Sequence, residues 1–228
     1  MKVLPQMDRG SYLDMQVERS RQKFKYNKVS YRHARAIVDI ALKNDCAVRS
    51  VCCLGVRNGR EVDLFRYAAF HQFLGRLASI FEVKKCGYTS LFPVLERFGR
   101  SSCKLDHSKI TNVALGVEIN PDNRRRDVFN GSFDDLPEKW EDSFDLIYTN
   151  SFDQSQDPHR SVKEWLRILK PGGIMVIDFD GSAPNEHDPI GDITPEDIKN
   201  LFPLQCLVLT ERLTKESRYQ TYVGKKSR

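Results

Sequence analysis

Long apolar runs are missing from the 228-residue sequence. No stretch approaches the about 18 consecutive apolar residues that a membrane-spanning helix needs, so we expect no membrane association. The first ten residues, MKVLPQMDRG, lack the apolar core of a secretory signal, and we therefore expect a cytoplasmic protein. Hydrophobic residues make up 40% and charged residues 29% of the chain, as in ordinary globular proteins.

Cysteine pairs with the spacing of a metal site are also missing. The chain has six cysteines and no C-x-x-C pair. Cys86, Cys103 and His107 come nearest to a zinc site, but a fourth ligand is lacking, so we predict no metal. Cys52 and Cys53 lie in an apolar run, where free thiols behave as small hydrophobic groups. This usage is typical of a reduced compartment.

The net charge of +5 is concentrated in two places. One interpretation is a solvated basic face, and the other is a surface for an anionic substrate or a nucleic acid. The basic residues concerned are Arg19, Arg21, Lys23, Lys25, Lys28, Arg32 and Arg35, followed by the run Arg124, Arg125 and Arg126.

The stretch 143–179, SFDLIYTNSFDQSQDPHRSVKEWLRILKPGGIMVIDF, predicts a strand, a helix and a second strand. The apolar run 144–149 indicates a buried strand, and Asp157-Pro158 is a typical helix start. Lys170-Pro171-Gly172-Gly173 ends the helix, and 174–179 is the next strand. Two parallel strands joined by a helix form a βαβ unit. The apolar positions on one face of the helix are Val162, Trp165, Leu166 and Leu169.

A glycine turn lies farther upstream. The stretch 48–54 predicts a strand that leads into Gly55-Val56-Arg57-Asn58-Gly59, and the helical pattern 60–67 follows. A strand, a glycine turn and a helix form the nucleotide-binding turn of a doubly wound sheet. Without side chains, Gly55 and Gly59 let the backbone turn tightly and approach a ligand.

A carboxylate is predicted at the end of the next nucleotide-fold strand, 113–119. Glu118 lies there, and its two oxygens can accept both hydroxyls of an adenosine ribose.

Taken in their order along the chain, these segments resemble the core motifs of class I S-adenosylmethionine-dependent methyltransferases, in the branch often called type 11. The element LKPGG after an E-x-x-R-h-L helix (h, apolar) is the most specific part. The resemblance implies an α/β fold with a doubly wound, seven-stranded, mostly parallel sheet and helices on both faces. It also implies a single domain, 1–228, with an N-terminal cap segment at 1–30 and a helical insertion at about 68–111.

The cofactor implied by the resemblance is S-adenosylmethionine. Three positions depart from the family pattern: Cys53 replaces the usual acid, Arg57 the middle glycine, and Ser132 the acid expected near the adenine. The residues expected to bind the cofactor are Gly55, Val56, Arg57, Asn58, Gly59, Glu118, Ile119, Ser132, Phe133, Asn150 and Ser151.

Asp153 is the first candidate for a general base, because it follows the strand 144–149 and a base assists methylation of a hydroxyl or a protonated amine. Relatives often carry a histidine near the position of Gln154. A glutamine side chain cannot act as a base, so Gln154 does not replace that histidine. His159 and Asp178 are the next candidates.

Three functions remain open from the sequence. The first is methylation of a small-molecule or glycan-type acceptor. The second is methylation of a nucleic acid held by the basic N-terminal face, although no N-P-P-[YFW] motif follows the strand 144–149. The third is a non-catalytic module that keeps the fold, suggested by the three departures. The sequence does not predict the oligomeric state.

Other elements follow from local patterns. We predict a helix at 12–26 with Leu13, Val17 and Phe24 facing inward, and a helix at 31–44 capped by Ser30. We also predict a short helix from Thr194 to 201 and strands at 204–213 and 219–223.

Overall fold

The computed structural model describes residues 1–5, 8–24, 29–80, 113–215 and 217–228, without the side chains of 71–80 and 113. Cys86, Cys103 and His107 lie outside the described residues, as do Lys25, Lys28 and most of the predicted insertion. Within the described part of the chain, no cluster of three or more acidic, histidine or cysteine side chains could hold a metal ion. None of the helices found there is long and apolar enough to cross a membrane.

The chain alternates between strands and helices along most of its length. The helices are α1 (Arg9–Gln22), α2 (Tyr31–Lys43), α3 (Arg60–Ile80), α4 (Pro158–Ile168) and α5 (Pro195–Leu201). The strands are β1 (Lys2–Val3), β2 (Ser50–Leu54), β3 (Val113–Glu118), β4 (Val128–Asn130), β5 (Phe144–Thr149), β6 (Leu169–Phe179), β7 (Ile190–Gly191), β8 (Gln205–Thr210) and β9 (Gln220–Lys225). Short 3-10 helices cover Glu138–Trp140 and Phe152–Gln154.

Seven strands form one sheet in the order β4-β3-β2-β5-β6-β9-β8. The pairs from β4 to β6 are parallel, and β9 runs antiparallel to both its neighbours. The predicted fold class, a seven-stranded and mostly parallel doubly wound sheet, is confirmed. β1 and β7 form a separate two-stranded sheet.

Alternate residues of β2 enter two hydrophobic layers, because successive side chains of a strand point to opposite faces. Val51 and Cys53 pack with α2 and α3 on one face. Cys52 and Leu54 pack with α4 and α5 on the other. Helices therefore cover both faces, which explains why every residue of β2 after Ser50 is apolar and buried.

Local capping signals set the helix starts where the sequence predicts them. Ser30 caps α2, and Asp157 caps α4 ahead of Pro158. Thr194 caps α5 in a reciprocal capping box with Asp197. Each cap supplies an acceptor for a backbone N–H that the helix itself leaves without a partner.

Two predictions about element boundaries and faces are wrong. β6 begins at Leu169, so the segment 170–173 belongs to the strand, with a register irregularity opposite β5. In α1 the buried residues are Tyr12, Gln16 and Ser20, whereas Phe24 is 41% exposed. The inward face of α1 is polar because it lies against the backbone carbonyls of Gln154 and His187 and the Glu118 carboxylate.

Candidate functional site

The strand order reverses between β2 and β5, and a cavity of about 670 Å³ opens at their carboxyl ends. Ligands of open α/β sheets bind at such a switch point. The sequence predicted four of the lining residues, Gly55, Arg57, Asn150 and Ser151, as cofactor-binding, and Asp153 as a base. The other lining residues are Arg19, Gln22, Lys23, Glu61, Gln154 and Asp188.

The glycine turn after β2 is tightly packed against the loop after β5. Gly55 has a φ of +75°, and a Cβ atom there would lie 2.6 Å from Ser151 Oγ. Arg57 has a φ of +47°, the left-handed region that favours glycine. The position where the family usually has a glycine thus keeps a glycine-like conformation with an arginine side chain, at a cost of about 1–2 kcal/mol.

The Glu118 carboxylate connects three parts of the site. It is 3% exposed, and its Oε2 accepts a hydrogen bond from the Arg57 backbone N–H at 2.6 Å. Its Oε1 accepts from Ser20 Oγ of α1 at 2.6 Å and from the Asn120 N–H at 3.1 Å. Glu118 therefore holds the glycine turn, the end of β3 and α1 together.

A narrower cavity of about 50 Å³ lies between α1 and the ends of β3 and β4. The residues predicted to bind the cofactor that line it are Gly55, Arg57, Glu118, Ile119, Ser132 and Phe133. The Ser132 hydroxyl accepts a hydrogen bond from the Asp134 N–H at 3.2 Å. Tyr12, Gln16 and Ser20 of α1 also line this cavity.

The remaining predicted binding residues shape the turn and do not line either cavity. Val56 is buried in the core at 2% exposure. Asn58 donates to the Phe24 carbonyl at 2.7 Å. Gly59, with a φ of +77°, packs against the Arg125 side chain.

Helix α1 is fixed over the site by polar contacts. Tyr12 OH donates to the Gln154 carbonyl at 2.8 Å and to the His187 carbonyl at 3.1 Å. Arg19 forms a two-point ion pair with Asp188, at 2.6 and 2.7 Å. Such paired, charge-assisted hydrogen bonds are comparatively strong. The loop after β6 thus contacts α1 next to the larger cavity.

The three candidate bases lie in different environments. Asp153 lines the larger cavity. His159 is exposed in the first turn of α4 and lines a separate surface depression.

Asp178 is 2% exposed, and its hydrogen-bond partners among the described residues do not line either cavity. It accepts from Tyr148 OH and Thr221 Oγ1, each at 2.7 Å, and lies 2.7 Å from His33 Nε2. These contacts join α2, β5, β6 and β9, so Asp178 stabilises the core. Of the three, the structure brings only Asp153 to the cavity.

Several cavity residues escaped sequence reasoning, among them Arg19, Ser20, Glu61 and Asp188. Arg19 and Asp188 are far apart in sequence, and Ser20 follows no motif. Glu61, in the first turn of α3, had one signal that could have been used: it is an acid two residues after the last glycine of the turn.

Comparison with known families matches the model of a methyltransferase domain to residues 86–177. The match covers β3 to α4 and most of β6, and it begins after the glycine turn. No curated protein matches the sequence.

Many solved structures have a similar fold, and two of them serve as examples. One is the 1,6-didemethyltoxoflavin-N1-methyltransferase of Burkholderia thailandensis with bound 1,6-didemethyltoxoflavin and S-adenosylhomocysteine. It is 13% identical, with a TM-score of 0.62 and coverage of 99% of this chain and 93% of that chain. The other is the complex between the Haloferax volcanii Trm112 methyltransferase activator and a methyltransferase, with 16% identity, a TM-score of 0.52 and coverage of 95% and 98%.

The predicted resemblance to class I S-adenosylmethionine-dependent methyltransferases is confirmed by the family match together with the strand order. The cofactor that this class implies is S-adenosylmethionine. Three features of the described residues fit such a ligand: the position of Gly55 in the wall of both cavities, the strand-end carboxylate of Glu118, and the polar lining after β5.

Gly55→Ala should destabilise the fold more than a matched glycine substitution. Gly172 has a similar φ of +76°, but a Cβ atom there would lie 3.5 Å from its nearest neighbour. We expect Gly172→Ala to cost about 1–2 kcal/mol from backbone strain, and Gly55→Ala to cost more because of the contact with Ser151. Gly181→Ala, with nothing within 4 Å, should be nearly neutral. Denaturant unfolding measures all three. Equal losses for Gly55→Ala and Gly172→Ala would mean that Ser151 moves aside freely.

Glu118→Ala should destabilise the ligand-free protein. The variant leaves the buried N–H groups of Arg57 and Asn120 and the Ser20 hydroxyl without their acceptor, a loss of about 1–3 kcal/mol. Denaturant unfolding provides the measurement, and Glu138→Ala, at an exposed position before β5, provides the control. A Glu118→Ala stability equal to wild type would show that water replaces the carboxylate without cost.

Proposed function

We propose that this protein transfers a methyl group from S-adenosylmethionine to a small-molecule or glycan-type acceptor. The observation that supports this most is the cavity at the switch point, where the glycine turn meets the polar residues after β5. Its volume of about 670 Å³ is typical of pockets for small molecules. It can hold the methionine end of the cofactor together with a small acceptor.

The narrower cavity suits the adenosine end. Glu118 can accept hydrogen bonds from ribose hydroxyls, and at present Ser20 supplies a hydroxyl donor of the same kind at 2.6 Å. A ribose would therefore take the place of Ser20, and α1 would shift outward to admit it. Ser132 and Phe133 also line this cavity, and the family resemblance implies that they contact the adenine.

The cofactor, when bound, supplies a methyl group on a sulfonium that is activated for in-line displacement. The chain supplies positioning, since holding two reactants in line is the main contribution a protein makes to such a reaction. Arg19 of helix α1 and its ion-pair partner Asp188 form part of the cavity wall. Asp153 lines the cavity, and we assign to it the role of accepting a proton from an acceptor hydroxyl or amine.

A nucleic-acid substrate has less support from the described basic residues. Four of the arginines that suggested it are paired with carboxylates of the same chain. The pairs are Arg19 with Asp188, Arg21 with Asp122, Arg35 with Asp39, and Arg125 with Asp63 and Asp127. Binding a phosphate backbone would require these pairs to break or to be shared, which weakens the electrostatic attraction.

Arg57→Ala should weaken binding of S-adenosylmethionine more than binding of methylthioadenosine, which has no carboxylate. Arg57 lines both cavities, and we propose that its guanidinium pairs with the cofactor's carboxylate. Because such bonds contribute about 1.5–3 kcal/mol when well formed and Arg57 is only half-buried, we expect a loss of about tenfold. Calorimetric titration measures both affinities, with Arg60→Ala at the neighbouring exposed position as the control. Equal losses for the two ligands would exclude the carboxylate pairing.

The acceptor class is tested by following a labelled methyl group. The purified protein is incubated with labelled S-adenosylmethionine and either a fraction of small metabolites and glycans or total RNA. We expect label in the small-molecule fraction, and only weak RNA binding that falls steeply with salt. Label in RNA would favour the nucleic-acid alternative. Tight cofactor binding without transfer to either fraction would favour a non-catalytic module.

A further inference from the structure

Glu61 is a buried carboxylate with no assigned role. It lies in the first turn of α3, is 7% exposed, and lines the larger cavity together with Gly55 and Asn150. Its Oε2 atom has no hydrogen-bond partner among the described residues. A buried carboxylate oxygen without a partner costs free energy. The feature therefore requires an explanation other than stabilisation of the ligand-free fold.

The surroundings of Glu61 disfavour the charged form of its carboxyl group. Burial raises the pKa of Glu61 to about 7, although its own backbone N–H and Arg57 lower it. Among the described residues, the ionisable groups that interact electrostatically with Glu61 include Arg57, Arg60, Glu118, Cys53 and Tyr148. A cation placed beside Glu61 would favour the ionised form and supply the missing partner.

Glu61 lies near the position where the family pattern has an acid and this chain does not. Cys53 occupies that position and is fully buried in the core under α2 and α3. Burial raises the pKa of the Cys53 thiol. Glu61 lies in the first turn of α3, next to Val62, which belongs to the same core cluster as Cys53. Helix α3 thus supplies a carboxylate, that of Glu61, to the wall of the larger cavity, whereas β2 supplies none at Cys53.

We propose that Glu61 binds the ammonium group of the cofactor's methionine moiety and replaces the acid that is absent at Cys53. This inference rests on the proposed function. With Arg57 directed to the carboxylate, the two side chains would hold opposite charges of one zwitterion. An ammonium donates up to three hydrogen bonds, and the unpartnered Oε2 of Glu61 provides one buried acceptor for them.

The test compares two ligands that differ in one group. S-adenosylhomocysteine carries the ammonium, and its analogue with hydrogen in place of the amino group does not. Glu61→Gln should weaken the first by about 10–100-fold, as expected for a hydrogen bond between charged groups, and change the second less than twofold. Glu138→Gln makes the same substitution at an exposed site before β5 and should change neither affinity. Equal losses for both ligands, or none, would overturn the proposal.

Proton release provides an independent readout on the wild-type protein. At pH 6 the ligand-free Glu61, with a pKa of about 7, is mostly protonated, and an adjacent ammonium would make it ionise. Binding of S-adenosylhomocysteine should release most of one proton, measured by calorimetry in two buffers with different ionisation enthalpies. Glu61→Gln should release markedly less. Equal release by both proteins, or none by the wild type, would contradict the proposal.

The stability of the variant distinguishes a binding role from a structural one. The pKa in the folded chain, about 7, is above the ordinary value of 4.5. The carboxyl therefore has no destabilising effect below pH 4.5, and its cost grows as the pH rises towards 7. Glu61→Gln should be at least as stable as wild type at pH 8. Marked destabilisation at pH 8 would show that Glu61 supports the fold, against the proposal.

The outcomes separate this inference from the proposed function. If the wild type binds no S-adenosylhomocysteine, the proposed function is wrong and the inference fails with it. If the wild type binds and Glu61→Gln binds equally well, only the inference about Glu61 is wrong.

Discussion

The Glu118 carboxylate is the contact on which the rest of the site depends. It lies at the end of β3, fixes the Arg57 N–H of the glycine turn at 2.6 Å, and receives the Ser20 hydroxyl of α1 at the same distance. A carboxylate has acceptor capacity for about four hydrogen bonds, so it can join several elements at once. The same oxygens are suited to ribose hydroxyls. Under the proposed function, the cofactor's ribose and Ser20 of α1 would compete for the Glu118 carboxylate.

The departures from the family's glycine motif fit together in the structure. Arg57 keeps a left-handed backbone with a φ of +47°, so the turn is preserved without its middle glycine. The side chain that this adds is a cation, while the acid lost at Cys53 has a counterpart in Glu61 on the next helix. On this account the charges that face the cofactor's amino-acid end are rearranged and not lost. The match to the family model begins after this turn, at residue 86, consistent with a turn that departs from the family pattern.

Sequence reasoning predicted those parts of the fold that depend on local signals. β5 and the caps at Asp157 and Thr194 follow from apolar runs and capping residues within a few positions. The inward face of α1 did not follow, because its partners are Glu118 and the His187 carbonyl, more than 90 residues away. Glu61 was missed because its importance comes from burial beside the cavity, which periodicity alone does not reveal.

The measurement that tests the central claim most directly is a crystal structure of the protein with S-adenosylhomocysteine. We predict the adenosine between α1 and the ends of β3 and β4, with a ribose hydroxyl within hydrogen-bond distance of Glu118 and the Ser20–Glu118 contact broken. The homocysteine moiety should lie beside Gly55 in the larger cavity. A ligand bound elsewhere, or one that leaves the Ser20–Glu118 contact intact, would contradict the account.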